Sequence, residues 1–130
     1  MLAVRRAATT VLTLATLAMT ALSAAPATAD DDDATRNSGT CSGGTHWKIK
    51  AKADDGRIEV EAEIDSNKVG QTWAWRFKDN GVVFATGSST TRGPSGSFEV
   101  ERKPANWVGT DIFVFRAVHA GEVCRATVAW

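Results

Sequence analysis

The chain has 130 residues with 15 basic and 15 acidic side chains, enough for one small domain and a leader. Setting aside Arg5 and Arg6 as part of an export segment leaves 13 basic and 15 acidic groups. A net charge of about −2 gives no electrostatic reason to expect a nucleic-acid partner or an anionic membrane surface.

Residues 1–29 have the three-part layout of a signal peptide. Arg5 and Arg6 come first, an uncharged and mostly apolar run spans 7–24, and Ala27-Thr28-Ala29 supplies small residues before Asp30. Cleavage near Ala29 would leave no membrane span and place the product outside the cell. Residues 30–44, DDDDATRNSGTCSGG, are predicted to be a flexible acidic and Gly/Ser leader, because they offer no apolar face to bury.

From Thr45 the pattern becomes strict alternation, which predicts half-buried strands through 45–130. Trp47, Ile49, Ala51 and Ala53 interleave with Lys48, Lys50 and Lys52. After Asp54-Asp55-Gly56, Ile58, Val60, Ala62 and Ile64 interleave with Glu59, Glu61 and Glu63. An Asp-Gly turn sets Lys52 against Glu59, Lys50 against Glu61, Lys48 against Glu63 and Trp47 against Ile64. A second hairpin, 71–88, turns at Asn80-Gly81 and is predicted to place Phe77 opposite Phe84 and Trp75 opposite Thr86. Trp73, Trp75 and Phe77 alternate with Thr72, Ala74, Arg76 and Lys78, so the rings are assigned to the core. Phe98 and Val100 define a fifth strand at 97–102. Lys103 to Gly109 is a connection marked by Pro and Gly. A last hairpin, 110–130, turns at Ala120-Gly121 and gathers Phe113, Phe115, Ala117, Cys124, Ala126, Val128 and Trp130 on one face.

Seven short strands separated by turn signals predict an all-β, seven-stranded antiparallel sandwich. The 45–130 segment resembles immunoglobulin-like domains of the fibronectin type III kind. That resemblance implies one sheet from strands one, two and five, and another from strands four, three, six and seven. The export segment together with GQTWAWRF, GPSGSFEVER and GEVCRATVAW also resembles small secreted sandwich proteins of high-GC Gram-positive bacteria, a group to which no activity is attached. The chain departs from antibody-type domains in having no Tyr and in placing its two cysteines, Cys41 and Cys124, outside the mid-sandwich positions. In an exported chain these two are expected to form one disulfide, fastening the start of the domain to its last strand.

No phosphate loop, paired-carboxylate motif or metal-ligand spacing occurs, so no catalytic, cofactor or metal residue is predicted and the chain is read as a non-enzyme. Ser95 or Ser97, His119 and Asp111 supply the residue types of a hydrolytic triad, but no spacing selects them. Three binding roles are expected instead. The foremost is binding to a secreted or surface protein, or to a second copy of the chain, through an outer face with Ile112, Val114, Arg116, Val118 and Arg125. Another is polysaccharide binding through the loop residue Trp107 with Arg102 and Lys103. The last is inhibition of a hydrolase through an inserted loop, Gly87 to Gly96, with Arg92 at its tip.

Overall fold

A computed structural model describes residues 33–130, and the export segment read at 1–29 lies outside the described residues. Eight strands follow in order: β1 (Thr35–Thr40), β2 (His46–Asp54), β3 (Arg57–Asp65), β4 (Thr72–Asp79), β5 (Val82–Thr90), β6 (Ser97–Arg102), β7 (Ile112–His119) and β8 (Glu122–Ala129). They form two antiparallel sheets ordered β1-β2-β3-β6 and β5-β4-β7-β8, packed as a sandwich. With β1 set aside, this is the sheet partition expected from the immunoglobulin-like resemblance.

The first hairpin pairs as its chemistry requires, with Lys52 opposite Glu59, Lys50 opposite Glu61, Lys48 opposite Glu63 and Trp47 opposite Ile64. A slip of one residue would set lysines into the core, so the register is specified from both faces. Asp55-Gly56, Asn80-Gly81 and Ala120-Gly121 all have positive φ at both positions, the backbone that a two-residue hairpin turn demands. Between the sheets, Ile49, Ile58, Val60, Ile64, Trp73, Phe77, Phe113, Phe115 and Cys124 are fully or almost fully buried. Phe77 is the hub of the ring cluster, 4.6 Å from Phe115 and 5.4 Å from Phe84 between centroids. Trp73 is completely buried and Trp75 nearly so, which places the rings of QTWAWRF in the core.

Three expectations change. The strand count is eight, because the leader read as flexible contains β1, paired with β2 from Thr35↔Ala51 to Thr40↔His46. Its sequence, TRNSGT, has no apolar alternation. It is held by backbone hydrogen bonds and by the Cys41–Cys124 disulfide that follows it. The second hairpin is shifted by one residue from Phe77 onward, giving Phe77↔Ala85 and Trp75↔Gly87, because a bulge between Phe77 and Lys78 leaves Phe84 as the extra residue. The inner positions of β5 thus become Ala85, Gly87 and Ser89, small enough for Trp75 to lie across them. A Cβ on Gly87 would stand 2.5 Å from Trp75 Cζ2, and Trp75 Nε1 donates to Ser89 Oγ at 3.0 Å.

The third change concerns the loop proposed for insertion into a hydrolase. Gly87 to Thr90 belong to β5. Arg92 is fastened through its backbone, its N–H donating to Ser97 O at 2.9 Å and its carbonyl accepting from Gly96 N at 2.8 Å. What remains outside β5 is a short turn tied at its base, with Arg92, Gly93, Pro94 and Ser95 exposed as the segment left to insert.

Candidate functional site

The outer face of β4, β7 and β8 collects all five residues singled out in the last hairpin. Alternation sends Ile112, Val114, Arg116 and Val118 outward from β7, and Val123, Arg125 and Thr127 outward from β8. Because β4 adjoins β7, it adds Arg76 and Lys78. The register then aligns three arginines across three neighbouring strands, Arg76↔Arg116 and Arg116↔Arg125. Like charges directly opposite one another on a sheet are destabilising, and no Asp or Glu occupies an outward position on β4, β7 or the facing part of β8. The arginines rim a shallow groove of about 590 Å³ floored by Ile112 and Val114. Such a face presents bidentate donors beside aliphatic surface, suited to carboxylates on a partner.

The second candidate lies at the flank between β5 and β6. Trp107 is 66% exposed and stands over a groove of about 530 Å³ lined by Val82, Phe84, Pro104 and Ala105, with Arg102 and Lys103 at its border. The connection carrying Trp107 is anchored to β3: Ile58 N donates to Pro104 O at 3.1 Å, and Arg57 bridges to Ala105. Both predicted cations are engaged. Arg102 sits over the Trp75 ring at 5.1 Å, and Lys103 Nζ is 2.8 Å from Asp54 Oδ2 and 4.0 Å from Glu59 Oε2. Hydrogen bonding to Lys103 and its charge hold the Asp54 carboxyl below its usual range, and Asp54 in turn raises Lys103. Lys103 is thus held toward Asp54 and Glu59, and Trp107 with the apolar walls makes up the body of the groove.

Asp79, which precedes the Asn80-Gly81 turn and was not among the candidate residues, also lines this groove. It is the last inward position of β4. Asp111, just before β7, is its neighbour and is completely buried. Burial first, and Asp111 second, push the Asp79 carboxyl up to about 6. The contact between the two is a hydrogen bond only when a proton is shared, and as ionised groups they face each other as bare acceptors.

The imagined triad is not assembled. Asp111 and His119 lie at opposite ends of β7, about 25 Å apart at strand rise. His119 Nδ1 is 2.8 Å from Thr72 O and its ring lies 5.3 Å from that of Trp73, while Ser95 and Ser97 hydroxyls bond each other at 2.6 Å. Arg76 and Lys78 were visible as outward residues, but only the sheet order placed them beside Arg116. Comparison with family models, curated proteins and solved structures gives no match, so a functional reading rests on the chemistry of these surfaces.

Proposed function

We propose that this is an exported, non-enzymatic binding domain whose outer β4-β7-β8 face holds an acidic protein partner. The observation that carries this reading is the cross-strand row Arg76, Arg116 and Arg125, set among Ile112, Val114 and Val118 with no carboxylate on the face. A fold gains nothing from aligning like charges, whereas a partner's carboxylates would convert the row into charge-assisted hydrogen bonds over an aliphatic floor. Contacts of this kind set association rate and partner choice and weaken with salt.

Fluorescence anisotropy with a labelled polyglutamate peptide tests the reading, alongside sedimentation to detect self-association. The wild-type domain is expected to bind the peptide at low salt. Arg116→Glu should abolish that binding and Val114→Asp weaken it, with the β-sheet circular dichroism unchanged. Absence of peptide binding in the wild type, or binding that Arg116→Glu leaves intact, would overturn it.

A second reading is supported by the exposure of Trp107. A bare indole over an apolar groove is suited to stacking against a sugar ring, and polysaccharide is the ligand it fits. Retention on insoluble glycans, compared between wild type and Trp107→Ala, separates this role from the first, because that substitution leaves the arginine face untouched.

A further inference from the structure

Beneath Trp107, the end of the sandwich holds a cluster of oxygens that neither binding surface uses. Asp79 is 6% exposed and Asp111 0%. Oδ1 and Oδ2 of Asp79 and Oδ1 of Asp111 are buried without a hydrogen-bond partner. A buried carboxylate oxygen left in this way loses its hydration and receives nothing in return.

Asn106 adds a further group. The terminal amide atom facing this cluster is 3.1 Å from the Trp107 carbonyl oxygen and 3.2 Å from Asp111 Oδ2. Two chemistries fit those distances: an NH2 that donates to both oxygens, or an amide oxygen that shares a cation with them. The first answers Oδ2 of Asp111 and leaves the other three carboxylate oxygens as they were. A proton shared between the two acids would answer one facing pair. A cation answers every oxygen in the cluster.

We propose that Asp79, Asp111, the Asn106 side chain and the Trp107 carbonyl form a binding site for a hard divalent cation of the calcium class. All the donors are oxygens, which disfavours zinc and copper. Carboxylates, a side-chain amide and a loop carbonyl suit the irregular coordination of calcium better than the strict octahedron of magnesium. Asp79 borders the groove, from which water can complete the shell. The raised proton affinity of Asp79 agrees with a site whose negative charge lacks a counter-ion. The bound cation would tie the Trp107 loop to the ends of β4 and β7 and fix the ring over the groove. This site does not depend on what the groove or the arginine face binds.

The test is calorimetric titration of the EDTA-treated exported chain with calcium chloride, paired with thermal unfolding and with terbium luminescence excited through tryptophan. Expected are one saturable calcium site, a rise in Tm, and sensitised terbium emission that calcium displaces. Asp79→Asn and Asp111→Asn, which keep side-chain shape and remove charge, should each lose all three responses while unfolding in EDTA no earlier than the wild type. The proposal is overturned by the absence of saturable binding in the wild type. It is equally overturned by binding that persists in both variants, since that would place the ion elsewhere, as at the clustered carboxylates of Glu59, Glu61 and Glu101. The terbium signal is read on wild-type protein, so the test stands even where a variant folds poorly.

Discussion

The two flanks of the sandwich solve the same packing problem with different fastenings. On each, an edge strand passes a glycine under an indole: Gly39 pairs with Trp47 at the β1 edge, and Gly87 with Trp75 at the β5 edge. A Cβ at either glycine would stand 2.5 Å from a ring carbon. In each case the ring covers the bare strand where no side chain could. Beyond that the flanks diverge. The β1/β8 flank is closed by the Cys41–Cys124 bond, by Asn37 Nδ2 donating to Thr127 O at 2.9 Å, and by Thr45 Oγ1 donating to Glu122 Oε1 at 2.6 Å. The β5/β6 flank has Arg102 over Trp75 and is otherwise open as the groove beneath Trp107. Stapling one side leaves the other side free to keep an exposed ring and an unfilled gap, the features a ligand site needs and a stable core avoids.

The largest effect should come from cutting the staple. The bridge spans a sequence separation of 83 residues, and a loop of that length corresponds to about 4–5 kcal/mol in the chain-entropy model, with measured losses about 2–5 kcal/mol. The double variant Cys41→Ser, Cys124→Ser is expected to lose that much in urea unfolding, while keeping glycan or calcium responses at the opposite flank wherever it remains folded. Loss of both together would show that the flanks are not independent.

Next in size are the glycines. Gly39→Val and Gly87→Val each force an indole out of its place, and overpacking of this kind costs about 1–3 kcal/mol. The two should differ in consequence. Gly39→Val acts on a strand held by the disulfide and should change stability alone, whereas Gly87→Val moves Trp75 and with it Arg102 at the border of the groove. Arg102→Ala should be milder, removing an exposed cation–π contact of about 0.5–1 kcal/mol. Chemical denaturation of the three variants ranks them directly.

This contrast also explains what could be read in the sequence. The β2-β3 hairpin was legible because lysines, glutamates and aliphatics each have one tolerable side, and the disulfide was legible because the two cysteines of a chain read as exported have only each other. β1 was not, since Thr35–Thr40 is held by its neighbour's backbone and by a bond after its end, neither of which leaves a period-2 pattern. The bulge at Phe84 was hidden for a related reason: Phe84 keeps its place on the core against Phe77, and only past it does the inner face pass from Thr86 to Ala85 and Gly87, where Trp75 needs the space. Of the sites, Ile112, Val114, Arg116, Val118 and Arg125 followed from alternation within one hairpin. The arginine row required knowing that β4 lies beside β7, and the Asp79–Asp111 contact joins two residues that look like ordinary turn flanks.

The smallest effect belongs to the polar tie on the closed flank. Burial tends to raise the Glu122 carboxyl, but the hydrogen bonds from the Thr45 hydroxyl and from the backbone N–H groups of Thr45 and Gly43, with the His119 charge, outweigh it and hold the group below its ordinary value. A carboxyl whose folded pKa is depressed binds fewer protons in the folded state than in the unfolded one through that interval, so stability rises with pH there. The contribution is fully present above the ordinary glutamate range and is lost as the pH falls through the lowered folded value. Glu122→Gln should therefore lie slightly below the wild type near neutral pH and converge with it on acidification. A gap that stays constant across that range would mean that Glu122 acts through shape and not through charge. In that event the closed flank would be held without help from charge, by the disulfide, by Asn37 and by the bonds between Ser42 and Val123.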